Sequence, residues 1–315
     1  MNINVDIKDL RNRVIIVPAK DDKGVKLVPL LITAVLALLM CWVFLPAINL
    51  KSVGFWFLLL FLIMVYGAIK LTWAAAKHRN ASVNLVAKVF GLIMAFCIVV
   101  GFVTSAKVLH AKAYSRILEV SDDSIDIIPS VDASASIALM DTASAQMLGD
   151  RRIGSLTQVV SQFNVGSYIQ INYQDAPAKV AALRYDGFFK WMANHNEGVP
   201  GYVLVNPVDM SADYVPLEKK MKYVPSAYFM ENLERRIRFR YPFAMFGNVH
   251  FEIDEEGNPW YVASVYDHAV GLFGGETVVG AILADPVTGT IEKVDTANVP
   301  LWADVVFPGD LICDQ

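Results

Sequence analysis

Three long uncharged apolar stretches near the start of the sequence constrain its fold more than any other feature. They cover residues 27–49, 53–69 and 89–106. With short apolar flanks, each reaches the roughly 20 residues that a helix needs to cross a bilayer core of ~30 Å. We therefore predict three transmembrane helices. A cleaved signal peptide is the alternative for the first stretch, but the polar segment before it and the absence of a small-residue cleavage pattern after it argue against this alternative.

The basic residues beside these stretches predict an orientation in the membrane. Six Lys and Arg residues precede the first stretch and four lie in or beside the loop at 73–84, whereas the loop between the first two stretches contains only Lys51. By the positive-inside rule, the N-terminus and the 73–84 loop are cytoplasmic and the C-terminal region is extracytoplasmic. Lys107, Lys112 and Arg116 argue against this orientation, but the first helix usually dominates. We predict a multi-pass protein of the cell membrane.

Composition agrees with a membrane protein and excludes several other classes. Hydrophobic residues make up 55% of the chain and charged residues only 18%. The net charge of -4 carries no nucleic-acid signature, so we expect the lipid bilayer and no nucleic acid as a partner. After residue 106 there are 16 basic and 27 acidic residues, so the exported region is acidic, near -11, and we expect a basic partner for it. Cys41 and Cys97 lie inside the apolar stretches, which excludes a disulfide within the exported region.

The exported region is predicted to have an α+β fold with two related antiparallel-sheet modules. Helices are expected at residues 132–150, 187–196 and 226–241. Strands are expected at residues 168–173, 177–183, 202–206, 213–217, 249–253, 260–266, 278–284 and 290–294. The resulting organisation is a cytoplasmic tail (1–26), a three-helix membrane domain (27–106), a helical stalk and hinge (107–154), a first α+β module (155–223), a second module (224–298) and a C-terminal extension (299–315).

An internal repeat supports the two-module interpretation. Residues 201–215 (GYVLVNPVDMSADYV) and 280–294 (GAILADPVTGTIEKV) align without gaps at an offset of 79. Each is predicted to be a hairpin whose turn begins with Asn or Asp followed by Pro. Gly289 suits a left-handed position in the second turn. The first turn has Met210 there, so we expect that turn to differ or to use Asp209.

The second module resembles a known family. Its features are the helix at 226–241, the strand at 249–253, the turn DEEGNP, the strand WYVASVY and the segment DPVTGTI, which matches the pattern D-x-x-T-G-x-[IV]. Together with Pro300, Trp302 and Asp304, this arrangement resembles the PepSY-like modules of large multi-pass membrane proteins of Gram-positive bacteria. The first module departs from the pattern at Met210. The resemblance covers about seventy residues and implies an extracytoplasmic, non-catalytic module that binds or regulates another protein.

The sequence offers one candidate metal site. His250, Glu252 and Asp254 alternate with apolar residues and therefore share one face of the predicted strand. Three such side chains could hold a divalent ion, with Glu255 or Glu256 in reach. The ordinary interpretation is the solvated face of an amphipathic strand, and we favour it. Common motifs of hydrolases, nucleotide enzymes and thiol oxidoreductases are absent from the sequence, so no cofactor and no enzymatic activity are predicted.

Three further features are candidates for recognition. The last predicted strand is expected to end a sheet and to leave backbone groups unpaired for a protein or peptide, through Thr290, Ile291, Glu292, Lys293 and Val294. Gly91 and Ala95 could pack closely against another helix of this chain or of a partner. Arg235, Arg236, Arg238 and Arg240 either bind an anionic surface or, as we favour, complement the helix dipole and pair with nearby acidic side chains. The segment 271–276 is a binding loop or a simple strand connection, and the aromatic residues Phe188, Phe189 and Trp191 are expected in the core.

Three functions follow from these features. The first is a membrane-anchored envelope protein whose outer modules bind or regulate another protein. The second is a metal-dependent envelope hydrolase that uses His250, Glu252 and Asp254. The third is a subunit of a membrane assembly that is recognised through its spans. We favour the first.

Overall fold

A computed structural model describes residues 23–77, 83–117, 138 and 140–314. Three long helices come first, α1 (Lys23–Phe44), α2 (Val53–Ala76) and α3 (Asn84–Ser105). All three are long and apolar enough to cross a membrane. The three predicted apolar helices are therefore confirmed, while the predicted cytoplasmic tail before Lys23 lies outside the described residues.

The chain forms two compact units. One contains the three helices up to Phe102, and the other contains Leu45–Ser52 together with the chain from Val103 onward. The short segment Leu45–Ser52, which joins α1 to α2, thus belongs to the unit that holds the sheets. The predicted membrane domain at 27–106 included this segment, because sequence adjacency does not reveal a contact across some 200 residues.

Within the helical unit, the close contact is not the predicted one. A Cβ atom on Gly67 of α2 would lie 3.2 Å from Val86 of α3. Gly91 and Ala95 of α3 are exposed, and a Cβ atom on Gly91 would meet nothing within 4 Å. Their predicted close packing against another helix of this chain is therefore not found, and their packing against a partner remains a prediction.

Two antiparallel sheets follow in the second unit. The first sheet contains β1 (Phe163–Val165), β2 (Ile169–Tyr173), β3 (Ala176–Tyr185), β4 (Val199–Asn206) and β5 (Ser211–Met221). Its strand order is β1-β3-β4-β5, and β2 also pairs with β3. The second sheet contains β6 (Met245–Ile253), β7 (Pro259–Val270), β8 (Gly274–Ala284) and β9 (Ile291–Asp295), in that order. All eight predicted strands are found, but β1 was missed and several strands are longer than predicted. β5 extends on both sides, β6 and β8 begin four residues earlier, and β7 ends four residues later.

The internal repeat extends through both sheets in the same register. Val205 pairs with Ala212, and at an offset of 79 Ala284 pairs with Ile291. Farther back, Val180 pairs with Leu204 and Val262 with Leu283, which relates β3 to β7 at an offset of 82. The repeat therefore comprises four strands, β2 to β5 and β6 to β9, and not only the hairpins that the sequence alignment detected. We call these halves the first and second module.

The turns of the two repeated hairpins have the same backbone construction. Asn206 Oδ1 accepts the backbone N–H groups of residues 208 and 209, and Asp285 Oδ1 accepts those of residues 287 and 288. Met210 has a φ of 56° and Gly289 a φ of 77°, so both lie in the left-handed region. Of the two alternatives predicted for the first turn, a different turn was wrong, because the Asx–Pro hydrogen bonds hold the same backbone path in both hairpins. Asp209 does take part in this turn, where its Oδ2 accepts the side-chain amide of Asn206 at 3.0 Å.

A glycine occurs at the same place in both modules for the same steric reason. A Cβ atom on Gly201 would overlap the carbonyl oxygen of Val215, and one on Gly280 would overlap that of Val294. In each module the neighbouring strand approaches too closely for a side chain. This requirement accounts for the glycine that begins both repeated segments.

Two helices cover corresponding faces of the two sheets. These are α5 (Thr142–Gly154), which packs on β4 and β5, and α8 (Leu233–Arg240). Leu233 and Ile237 of α8 are fully buried in a core that also contains Ala263 and Ile282 of the second sheet. We call the opposite side of each sheet its outer face.

The boundaries of both helices differ from the predictions. The predicted helix 226–241 begins only at Leu233, because the side chain of Asn232 accepts the N–H of Arg235 and caps the helix there. The predicted helix 132–150 begins at Thr142 and continues beyond Gly149, where a Cβ atom would overlap the hydroxyl of Tyr168. Residues 132–137 and 139 lie outside the described part of the chain.

The remaining short helices connect the main elements. They are α4 (Ala111–Tyr114), α6 (Thr157–Val160), α7 (Phe188–Asn194) and α9 (Gly309–Asp314), with 3₁₀ turns at Phe229–Glu231 and Thr296–Asn298. The helix predicted at 187–196 corresponds to α7. Of the predicted stalk and hinge at 107–154, the described residues contain α4 and α5, and residues 118–137 and 139 lie outside the described part of the chain.

One hydrophobic core extends through both modules, and a smaller core lies on the outer face of the second sheet. The first core includes Val203 and Tyr202 of the first sheet and Phe251 of the second. The second contains Leu283 and side chains from residues 299–311, which we call the C-terminal segment. The two modules are thus continuous in packing, and the predicted C-terminal extension is part of the fold.

Candidate functional site

Of the predicted metal ligands, His250 and Glu252 lie on β6 and Asp254 follows its last residue, and both carboxylates accept hydrogen bonds from the chain's own backbone. Glu252 is fully buried, and its carboxylate accepts the N–H of Asp304 at 2.8 Å and that of Val305 at 3.2 Å. Burial raises the pKa of Glu252 to about 7, although these two hydrogen bonds act in the opposite direction. Glu252 therefore attaches the C-terminal segment to the second sheet.

Asp254 organises the turn between β6 and β7. One carboxylate oxygen accepts the N–H groups of Glu256 and Asn258, at 3.1 and 2.8 Å. The other accepts the amide of Asn258 at 2.9 Å and the indole N–H of Trp260 at 3.1 Å. Four donors occupy the two oxygens, so the carboxylate serves the turn and offers little to a cation.

His250 is the third of the predicted metal ligands. Its side chain lines a cavity of about 490 Å³ that also includes Arg184 and Glu234. Burial lowers the pKa of His250 and favours the neutral imidazole. Among the described residues, no group of three or more His, Cys, Asp and Glu side chains could hold a metal ion.

The favoured interpretation of this strand face was also wrong. We expected the alternation of His250, Glu252 and Asp254 to mark a solvated face, but Glu252 is 0% and Asp254 8% exposed. The reason is that the C-terminal segment covers one carboxylate and the β6–β7 turn folds around the other. Alternation assigns side chains to a face, but it does not show what lies against that face.

The predicted binding edge is at the end of its sheet. Among the described strands, β9 pairs with β8 alone. The backbone N–H of Lys293 points away from β8 and donates to the hydroxyl of Tyr241 at 3.1 Å. Glu292 and Lys293 are exposed, whereas Ile291 and Val294 are half-buried against the two cores. The edge is therefore available to a partner except at one amide, which Tyr241 already occupies.

A groove lies beside this edge, and we call it the α8–β9 groove. Its volume is about 340 Å³. Its lining consists of Met230, Arg236, Phe239, Arg240, Gly289, Thr290 and Ile291. The groove thus combines exposed apolar side chains with two cations at the beginning of β9.

The arginines of α8 have different environments. Arg236 lies over the ring of Tyr223, 4.1 Å from its centroid, and donates to the carbonyl oxygen of Gly289 at 3.3 Å. Arg238 is buried over Phe246, and burial lowers its pKa to about 10. Arg240 is exposed in the α8–β9 groove. Arg236 and Arg238 therefore contact aromatic rings and carbonyl groups rather than the expected acidic side chains.

An exposed aromatic patch was not predicted. Trp191 is buried as expected, but Phe188 is 36% and Phe189 77% exposed, so their placement in the core was wrong. Their rings belong to a chain of ring contacts that joins α7 to the turn after Pro225. The patch consists of Phe188, Phe189, Met192, Tyr228, Phe229 and Met230, which are 36–77% exposed.

Hydrogen bonds and an ion pair hold the residues of the aromatic patch in place. Phe229 has a φ of 51°, an unfavourable left-handed conformation for an aromatic residue. Its carbonyl oxygen accepts Arg235 Nη1 at 2.6 Å. Below it, Glu231 accepts the indole N–H of Trp191 at 3.0 Å and lies 3.5 Å from Lys222 Nζ. Large apolar side chains held in a fixed exposed position are typical of a protein interface.

The segment 271–276 contains the connection from β7 to β8 and the first residues of β8, and it is anchored to Thr104 and Ser105, the last two residues of α3. The backbone N–H of Phe273 donates to Ser105 Oγ at 2.9 Å, and that of Leu272 to Thr104 Oγ1 at 3.3 Å. Nearby, Lys51 Nζ lies 2.7 Å from Asp267 Oδ1. This segment is a strand connection, as we favoured, and its contacts bind it to the rest of the same compact unit.

Comparison with known proteins adds no further assignment. No protein-family model, no curated protein and no solved structure matches this chain. The resemblance to PepSY-like modules therefore stays a prediction.

Proposed function

We propose that this chain is a non-catalytic, membrane-anchored envelope protein whose sheet region binds another polypeptide at the edge of the second sheet. The observation that carries the proposal is that the aromatic patch and the α8–β9 groove are continuous and share Met230. This residue belongs both to the aromatic patch and to the α8–β9 groove, which borders Thr290 and Ile291. An apolar surface that leads to an unpaired strand edge suits a partner that adds a strand and inserts side chains.

The chemistry of the groove suggests which partner side chains it accepts. Phe239 is 47% exposed and offers an apolar contact, while Arg240 offers a cation to a carboxylate. The sheet region is acidic overall, and from this we expected a basic partner. The local charge of the groove is positive, so we propose an extended segment with apolar and acidic residues at this site.

The proposed orientation places the sheets outside the cell. Lys51 lies between α1 and α2, and its ion pair with Asp267 requires that this loop and the sheets share one side of the membrane if the helices cross it. The positive-inside rule assigns that side to the exterior. Reporter fusions at Lys51 and Gln315 should report the outer side and a fusion at Lys77 the inner side. A cytoplasmic signal at Gln315 would overturn the orientation.

Site-specific photocrosslinking in native membranes tests the binding site. Probes at Thr290 and Phe239 of the full-length protein should capture the same neighbouring protein, and Arg240→Glu should reduce that capture at least several-fold. Ser211 is the matched control, because it occupies the position in the first module that Thr290 occupies in the second. If Thr290 and Phe239 capture nothing while probes at Gly91 and Ala95 capture a neighbour, recognition belongs to the spans.

A further inference from the structure

A second and larger groove lies over the outer face of the first sheet. Its volume is about 760 Å³, and we call it the Leu204 groove. Tyr202, Leu204, Val215 and Leu217 form its apolar side. The β6–β7 turn and the β8–β9 turn form the opposite side, through residues that include Glu256 and Thr288. The groove shares no lining residue with the α8–β9 groove.

The internal repeat shows what kind of group covers such a face. In the matched registers of the two modules, Leu204 corresponds to Leu283 and Val215 to Val294. In the second module the C-terminal segment lies against these positions, with Ala303 and Val306 in the same small core as Leu283. Leu283 is consequently 6% exposed, whereas Leu204 is only half-buried. A polypeptide segment is thus the group that this chain itself uses to cover the equivalent surface.

The charge of the Leu204 groove differs from that of the C-terminal segment. Its lining contains four carboxylates and one cation, which are Asp254, Asp285, Glu218, Glu256 and Lys219. Asp254 and Asp285 accept hydrogen bonds from their own turns, while Glu218 and Glu256 are exposed. The C-terminal segment carries Asp304 and Asp310 and no basic residue. A segment that covers the first sheet therefore needs apolar side chains with basic residues in place of the acidic ones.

We propose that the Leu204 groove binds an apolar, basic segment of a partner polypeptide, in the way that the C-terminal segment covers the second sheet. The apolar side chains of the partner pack on Leu204, Val215 and Leu217, and its cations lie near Glu218 and Glu256. This proposal is independent of the function proposed for the β9 edge, because different residues and the opposite charge carry it.

Two synthetic peptides serve as probes. One copies residues 299–311, and the other is the same peptide with Asp304→Lys and Asp310→Lys. Fluorescence anisotropy measures their binding to the full-length protein in detergent micelles at low salt. We expect the lysine peptide to bind at least tenfold more tightly than the unchanged peptide. Exchange with the chain's own C-terminal segment would favour the unchanged peptide instead and would overturn the proposal.

Variants of the protein locate the site. Glu218→Lys combined with Glu256→Lys should weaken binding of the lysine peptide at least tenfold, and both residues are exposed, so the fold tolerates the changes. Glu292→Lys is the matched control, because it reverses an exposed charge on β9 and should leave binding unchanged. Equal binding of the two peptides, or a loss with Glu292→Lys that matches the loss in the groove variant, would contradict the proposal. Unchanged melting temperatures confirm that each variant is folded.

Discussion

The two modules of the sheet region have the same strand register but different surroundings. Val180 and Leu204 pair in the first module as Val262 and Leu283 do in the second. The outer face of the second sheet is covered by the C-terminal segment, whereas part of the outer face of the first sheet borders an open groove. A repeated backbone therefore does not imply a repeated function, because the segments outside the repeat decide which surfaces remain available.

The connections between the central strands differ in the same way. In the first module, β3 and β4 are separated by α7, which carries Phe188 and Phe189 of the aromatic patch. In the second module, β7 and β8 are joined by a short turn whose amides bind Thr104 and Ser105. The first connection exposes aromatic side chains, while the second attaches the sheet to the last two residues of α3.

The largest expected effect tests whether the two modules share their steric constraints. Gly280→Ala and Gly201→Ala should each lower the free energy of unfolding by about 3 kcal/mol or more, because each new Cβ overlaps a backbone carbonyl that cannot move easily. Denaturant unfolding of the full chain, followed by tryptophan fluorescence, measures both. Gly154→Ala is the control, since its Cβ would meet nothing within 4 Å. A loss in only one of the two variants would show that the modules are not sterically equivalent.

A second comparison concerns the outer faces. Leu283→Ala should cost about 3 kcal/mol, because it leaves a cavity below the C-terminal segment, whereas Leu204→Ala should cost about 1 kcal/mol at the open groove. The same unfolding measurement separates them. Equal losses would indicate that the first outer face is also covered in the full-length protein.

The third prediction concerns pH and only the second module. Burial raises the pKa of Glu252 in the folded protein to about 7. The Glu252 carboxylate therefore holds a proton more tightly in the folded protein than in the unfolded chain. The contribution of Glu252 to stability is therefore full below about pH 4.5 and is lost as the pH rises through 7, by on the order of 3 kcal/mol in total. Burial also raises the pKa of Asp304, which acts in the same direction.

Unfolding measured between pH 5 and pH 8 checks this effect. Glu252→Gln should remove most of the dependence, while Glu256→Gln, which changes an exposed carboxylate in the adjacent turn, should retain it. In the first module, the position that corresponds to Glu252 is occupied by Ile171, which does not titrate. An unchanged pH profile in Glu252→Gln would assign the effect to other groups.

The smallest effect concerns the two hairpin turns. Met210→Gly should raise the free energy of unfolding by about 0.5 kcal/mol, because glycine adopts the left-handed conformation without the steric cost that a side chain brings. Met210→Ala keeps the Cβ and should bring no such gain. A loss of stability in Met210→Gly would mean that the methionine side chain, rather than its backbone, maintains the first turn.

Recognition could be predicted only in part from the sequence. The position of Ile291–Asp295 at the end of a sheet follows from its place as the last repeated strand, and it was found there. The hydroxyl of Tyr241 on the amide of Lys293 could not be foreseen, because it joins residues 52 positions apart. The exposure of Phe189 was missed for a related reason, since an aromatic helix predicts burial but does not show that Trp191 alone fills the available space.

By itself, the sequence determined the three apolar helices and the paired hairpins. Helix length and hydropathy depend on consecutive residues, and a turn beginning Asn-Pro or Asp-Pro determines its backbone through bonds to residues two and three positions away. Only the tertiary structure decided that Glu252 holds the C-terminal segment and that Leu204 borders a groove. These outcomes depend on which distant segment covers each sheet face, and the alternation of side chains along a strand contains no information about that cover.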